Sequence, residues 1–473
     1  MKPMLRRSIL ALAIPAALLV AFHLEEDLRG PIQWSRWLAT QKATGRNFDR
    51  TRLIPPAVPD AENFATAPGV AEQILGTRSG NWAVPEAFMD PRRVGGWAAG
   101  LRADYPAWKA ELKGQDLEEF LKSYDSALDL WVAAAKRPRC RLLLNYGDAS
   151  VIPGLLGMRG MARVLRARAL VRLQKGHSEL ALEDVQAGLA MVRHFQDEPH
   201  LLSQLLRLAW AGIYMQPVWE GLVDHAWNEA QLARLEADLA RIDLIGPVKT
   251  SWQFERLNGL ARWDGRPGQA HRNWIFLKST LLDSIDDAPR GRLARWGLRL
   301  LVPGGWVYQD LLSTDRGYKD LDPVLDPAAH RVHADLQDQV LQRLARHWRT
   351  PCFHPSGNLL QTLANQNIRV ARAQTSIDLA RIACALERHR LAKGGYPAEL
   401  QSLVPAFLPG VPVDVVTGQP LHYARAGASF TLYSVGWNRL DEGGHCAPVS
   451  AQGALSNADG DWVWYAQPQP VQP

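Results

Sequence analysis

The sequence predicts a mainly α-helical protein with an N-terminal membrane or signal helix, an irregular α-helical domain and a small C-terminal α+β domain. Three observations carry this prediction. A basic segment followed by an apolar one opens the chain. Apolar residues then recur at helical spacing over most of its length. Near the end, that spacing gives way to the alternation of strands. The chain has 473 residues, too many for one ordinary core, so two or three compact units are expected. Apolar residues make up 47% and charged residues 22%, as in globular proteins. The net charge of +6 is spread over interspersed Arg, Asp and Glu, which reads as solvated helix faces and argues against a nucleic-acid partner. The 18 Trp residues read as core packing.

The first element lies in residues 1–24. Lys2, Arg6 and Arg7 precede an apolar stretch from Ile9 to Phe22, and Glu25, Glu26 and Asp27 follow it. Positive charge before an apolar segment holds the N-terminus in the cytoplasm and sends the rest across. An apolar core from Ile9 to Phe22 is shorter than the roughly 17 to 25 residues of a spanning helix, as in a signal peptide. Ala21, Phe22 and His23 offer no small-x-small cleavage site, as in an uncleaved anchor. Arg6 and Arg7 also fit the core of a twin-arginine signal. The segment is therefore a signal anchor or a signal peptide. Residues 9–24 would contact a bacterial inner membrane in a single pass, with the bulk of the chain in the periplasm. If the segment is cleaved, the chain is periplasmic or secreted.

The α-helical domain is expected at 61–350. Ala181, Val185, Gly188, Leu189 and Val192 share one helix face, as do Leu202, Leu205, Leu206, Ala209 and Ile213. Leu232, Leu235, Leu239 and Ile242 form a third stripe, opened by a capping box of Asn228 and Gln231. Pro217 is expected to kink or end its helix. Residues 161–192 read as helix, Gly turn, helix. With small Ala169, Ala181 and Gly188 around Gly176, they resemble one tetratricopeptide repeat. Leu165 and Arg172 depart from the large aromatics of that pattern. Glycine- and proline-rich stretches within 246–330 predict loops, and Pro351–Gly357 predicts the domain boundary.

No usable catalytic motif appears. The histidines His194, His200, His271, His330, His333 and His347 are scattered, and Cys352 with His354 sits on a proline-rich linker. Glu255 beside Arg256 suggests a buried ion pair. Cys140, Cys352, Cys384 and Cys446 form no CxxC, so thioredoxin-type chemistry has no support and the pairing of the thiols stays open.

The α+β domain is expected at 358–466, with a disordered tail at 467–473. A helix from about Leu360 to Leu391 should end at Gly394 and Gly395. Two short strands joined by a Gly turn follow in "LHYARAGASFTLYSVG", and "DWVWY" (Asp461–Tyr465) reads as a third. The order of Gly395, Tyr396, Pro397, Pro412, Asp414, Gly418, Pro420, Tyr423, Tyr433, Ser434, Gly436, Asp461 and Trp464 resembles the C-terminal domain of the type II secretion major pseudopilin. Similar units also end larger bacterial envelope proteins. The prepilin-peptidase site of true pseudopilins has no counterpart here, so assembly into a pseudopilus is not implied.

That resemblance implies a calcium site after the Tyr-Ser-x-Gly strand end. Its counterparts are Ser434, Asn438, Asp441, Glu442 and Asp461, with Asn438 standing where the family usually has Asp. Calcium takes six to eight oxygens, several from carboxylates. A plain turn held by Asn and Gly is the competing reading. The whole sequence points to a non-catalytic interaction or structural component that meets other envelope proteins. The rivals are a periplasmic hydrolase or glycan-binding protein with a cleft in the helical domain, and an accessory part of a type II secretion-like system.

Overall fold

The structure, a computed structural model, describes residues 2–74, 88, 96–142, 144, 146, 155–261, 303–347, 357–447 and 456–469. The side chains of residues 2–12 lie outside that description, as do Cys352, His354, His271 and the rest of the expected boundary at 351–356. In chain order the helices are α1 (Lys2–Ala43), α2 (Ala71–Ile74), α3 (Tyr105–Glu111), α4 (Leu117–Lys122), α5 (Asp125–Ala135) and α6 (Leu155–Gln174). They continue with α7 (Ser178–His194), α8 (Leu201–Val223), α9 (Glu229–Leu239), α10 (Ile245–Ala261), α11 (Trp306–Leu321), α12 (Ala334–His347) and α13 (Gly357–Lys393). The strands are β1 (Leu325–Asp326), β2 (Arg331–Val332), β3 (His422–Ala426), β4 (Ser429–Ser434) and β5 (Trp462–Tyr465). The protein is mainly helical, with a small antiparallel sheet near the C-terminus.

The chain divides into two compact units, and they do not follow the expected division at 350. The first takes Met1–Thr51, Trp252–Val324 and Asp335–Asn365; the second takes Arg52–Ser251, Leu325–Ala334 and Gln366–Pro473. The small sheet and the helices α2 to α9 thus belong to one body.

In the first unit, α1 and α11 lie side by side and parallel. Phe22 meets Trp306 edge-on at 6.0 Å, Trp34 meets Tyr308 at 6.4 Å, and Lys319 Nζ reaches Gln41 Oε1 at 3.4 Å. Asp27 Oδ1 accepts the Gly305 N–H at 2.7 Å, and Gln309 Nε2 donates to Glu26 Oε2 at 2.5 Å. The backbones nearly touch. A Cβ on Gly305 would lie 1.9 Å from the Glu26 carbonyl oxygen, and one on Gly30 would lie 2.4 Å from Gly305 O. Along α1, Ile14, Leu18, Val20, Leu24, Leu28 and Ile32 stay exposed. Among the described residues no helix is long and apolar enough to cross a membrane. Arg256 does form a buried ion pair, with Asp315 rather than its neighbour Glu255; its Nε donates to Oδ1 at 2.7 Å.

In the second unit, α6, α7 and α8 pack closely. Gly176, at φ +78°, makes the expected turn between α6 and α7. A Cβ on Gly188 would lie 2.2 Å from the Tyr214 ring, so only glycine lets α7 approach α8 there. Pro217 neither ends nor breaks α8, which runs through it to Val223. The lost N–H bond is tolerated because that part of α8 is buried on most sides: Gln216, Pro217, Val218, Trp219 and Glu220 are all buried. The capping box at α9 forms as expected: Asn228 Oδ1 accepts the Gln231 N–H at 2.9 Å, and Gln231 Oε1 accepts the Asn228 N–H at 2.9 Å.

Helix α13 ends at Gly394, at φ +79°, whose N–H bonds Arg390 O at 2.8 Å. The sheet order is β3–β4–β5, antiparallel throughout, with Ala426 opposite Ser429 and Ser434 opposite Trp462. The turn residues have visible duties. Asp414 Oδ1 accepts the Val416 N–H at 2.7 Å, Tyr423 donates to Pro397 O at 2.7 Å, and Tyr396 packs edge-on against Phe430 at 4.9 Å. The sheet docks within the same unit, where Trp219 Nε1 donates to Tyr465 O at 2.8 Å. The expected free tail begins as placed chain: the Gln469 N–H bonds Gly100 O at 2.9 Å.

Candidate functional site

The loop after β4 is built by its glycines and by one carboxylate. Gly436 (φ +67°) follows the strand end, and a Cβ there would lie 2.5 Å from Gly460 O. Ser434, fully buried, uses its hydroxyl to accept the Gly436 N–H at 3.1 Å. Asn438 Oδ1 accepts the Leu440 N–H at 3.0 Å, an Asx turn. Asp461, 1% exposed, accepts N–H groups from Gly444 (2.7 Å), His445 (3.3 Å) and Glu442 (3.4 Å). It therefore pins the far end of the loop to the start of β5.

Two of the five expected ligands come together as carboxylates. Glu442 and Asp461 face each other within hydrogen-bonding range, and burial together with Glu442 pushes the Asp461 carboxyl above the usual range despite its backbone donors. Glu442 Oε1 accepts Asn438 Nδ2 at 2.7 Å, while Oε2 is buried without a hydrogen-bond donor. Asp441 turns away. It accepts Tyr433 O–H at 3.0 Å and the Gly443 N–H at 2.9 Å, and lies 3.4 Å from His422 Nδ1. The Gly443 N–H and the tyrosine hold it below the ordinary carboxylate range. Burial and Asp441 push Tyr433 up to about 12.

The test for calcium is the donor set. The orphan Glu442 oxygen beside Asp461 suits a hard cation, which would neutralise two facing carboxylates. Ser434 and Asn438 spend their oxygens on backbone N–H groups, and Asp441 points elsewhere. Among the described residues no group of three or more His, Cys, Asp or Glu could hold a metal ion. The fit is thus confined to the Glu442–Asp461 pair.

Sequence reasoning missed several buried acid clusters. Asp184, fully buried on α7, accepts Arg168 Nη2 at 2.7 Å, Arg168 Nε at 3.1 Å and Arg172 Nη1 at 2.8 Å. Glu198 accepts Tyr146 O–H at 2.8 Å and lies 2.5 Å from His200 Nδ1. Glu387 binds Arg390, Tyr396 O–H at 3.1 Å, and His225 Nδ1 at 2.7 Å. His330 Nε2 lies 2.8 Å from buried Asp378. Each pairs its buried charge, as buried charges must be, and Tyr146–Glu198, His225–Glu387 and His330–Asp378 tie separate parts of one unit together. No spacing in the sequence marks the contacts of Tyr146 with Glu198, His225 with Glu387 or His330 with Asp378, because those partners meet only in the fold.

No family model matches the chain, and no curated protein or solved structure matches it.

Proposed function

We propose that this chain is a membrane-anchored envelope protein that acts as a non-catalytic interaction or structural component on the periplasmic side. The observation that carries this reading is the uncovered apolar face of α1. Ile14, Leu18, Val20 and Leu24 are 55 to 65% exposed on the part of α1 that leads into its contacts with α11 at Phe22, Glu26 and Asp27. Large exposed apolar patches mark contacts with membranes or partners. Basic Lys2, Arg6 and Arg7 before the stretch, and Glu25 to Asp27 after it, give the orientation. The acid–base clusters described above support a structural rather than a catalytic use of the buried charges. Alkaline carbonate extraction of cells making the full chain is the direct test. Retention in the membrane pellet, with activity of a phosphatase fused after Gln469, is the expected result; release into the supernatant refutes the anchor.

Calcium at the Glu442–Asp461 pair is a second, separable part of the reading, favoured by the orphan Glu442 oxygen. Those two side chains would hold the ion, whose contribution would be to neutralise the pair and staple the loop to β5. A rise in melting temperature with calcium, absent in Asp461→Asn, is expected; no rise in the wild type ends the idea.

A further inference from the structure

A groove of about 670 Å³ opens in the second unit between the end of α5, the outer face of α7 and the end of α9. Its volume is that of a ligand site rather than a surface dimple. The floor is small and apolar: Ala135, Ala187 and Ala190 are buried there. His194 seals one end, stacked on Phe64 at 5.4 Å with Nε2 3.0 Å from Ala135 O. Burial lowers its pKa, so it adds no charge at neutral pH.

The charges of the walls do not balance. Arg193 and Asp238 cancel at 2.8 Å. Arg137 is spent on the carbonyls of Asp60 (2.7 Å) and Asn63 (2.8 Å), so no carboxylate neutralises it. Lys136, Arg139 and Arg241 are exposed, and among the described residues no carboxylate forms an ion pair with them. Against these four cations stand Glu183 and Asp197. Three of the cations sit just beyond the C-termini of α5 and α9, where helix dipoles favour positive charge. That explains why cations are there, and it does not neutralise them: a dipole end carries only about half a charge.

We propose that this groove binds a partner's peptide segment carrying spaced carboxylates. A dense polyanion would be pressed against Glu183 and Asp197. A peptide can set its carboxylates on Lys136, Arg139 and Arg241, lay small side chains on the alanine floor and bond its amides to Gln186 and Gln196. The inference deepens the interaction reading by naming the partner's chemistry, and it does not depend on the membrane anchor.

The probe is a fluorescein-labelled decapeptide with Asp at every third position and Ala between, titrated with the full chain in detergent and followed by anisotropy. Saturable binding is expected, weakened at least about tenfold by raising salt from 50 to 300 mM, as for rim charges. The triple variant Lys136→Glu, Arg139→Glu, Arg241→Glu should lose at least about tenfold in affinity. A control reversing Lys109, Lys113 and Lys393, exposed cations elsewhere in the same unit, changes net charge equally and should bind like the wild type. An Asn-for-Asp peptide should bind at least about tenfold more weakly. Equal losses in both triple variants, no saturable binding, or inorganic polyphosphate binding through the same three cations more tightly than the peptide would each overturn the proposal.

Discussion

Replacing Glu442 by Gln tests whether the loop is built around a carboxylate pair. In the wild type Glu442 places one oxygen on Asn438 Nδ2 at 2.7 Å and faces Asp461 with a buried oxygen that receives no hydrogen bond. Gln keeps the first contact and turns an N–H towards Asp461. A clash of two acceptors becomes a hydrogen bond to a charged group, a kind worth about 1.5–3 kcal/mol. Desolvation of the new amide offsets part of that, so a net gain of about 1 kcal/mol is expected at pH 8. The sign of the pH dependence follows from Asp461, whose folded pKa is raised. Its contribution is full below the unfolded value of about 3.9 and is lost as pH rises through the folded value. The advantage of Gln is therefore largest at pH 8 and fades towards pH 4. The assay is hydrogen exchange at the Gly444 and His445 amides, both bonded to Asp461 Oδ2. Exchange about fivefold slower in Glu442→Gln at pH 8, with no difference near pH 4, is expected. Calcium should then slow exchange in the wild type and leave the variant unchanged. Identical exchange in the two proteins at both pH values refutes the reasoning.

Three further outcomes are expected. Asp184→Ala strips a fully buried carboxylate from two arginines, and since Arg168 keeps Asp125 and Asp129, the loss should sit near the lower end of the 3–5 kcal/mol range for broken buried pairs; urea unfolding followed by tryptophan fluorescence measures it. Gly188→Ala drives a methyl into Tyr214 and should cost about 1–3 kcal/mol, with Tyr214→Ala costing less in that background than alone. The hydrogen bond that His330 donates to Asp378 raises the pKa of His330, so its stabilisation is present below about pH 6.5 and lost as pH rises through the folded value. Asp378→Asn should lower the His330 titration midpoint seen by NMR and flatten stability against pH in that window.

Local chemistry made much of the fold legible. Gly176 and Gly394 mark real helix ends because their positive φ suits glycine, and Asn228 with Gln231 closes a capping box within four residues. The alternation of 429–434 gave β4 its buried Phe430, Leu432 and Ser434. Pro217 misled because packing around α8 overrides a local penalty. The division into units was illegible because the sheet docks on helices some 250 residues away in sequence, as Trp219 and Tyr465 do at |i−j| = 246. At the loop, Asp461 was legible only as one of five candidate ligands, because the N–H groups it gathers lie 16 to 19 residues earlier, and the outward turn of Asp441 depends on His422 and Tyr433 across the sheet.

The seam between α1 and α11 also fixes a rotational phase. Gly30 and Gly305 leave no room for a side chain, and α1 is one continuous helix from its apolar stretch to that seam. Each residue of an α-helix advances about 100°. One residue inserted between Leu24 and Glu25 would swing Ile14, Leu18 and Leu24 by about that angle relative to α11, and four would nearly restore it. The helix therefore fixes the heading of its apolar stretch relative to α11, and a membrane holding α1 would see only one side of the first unit.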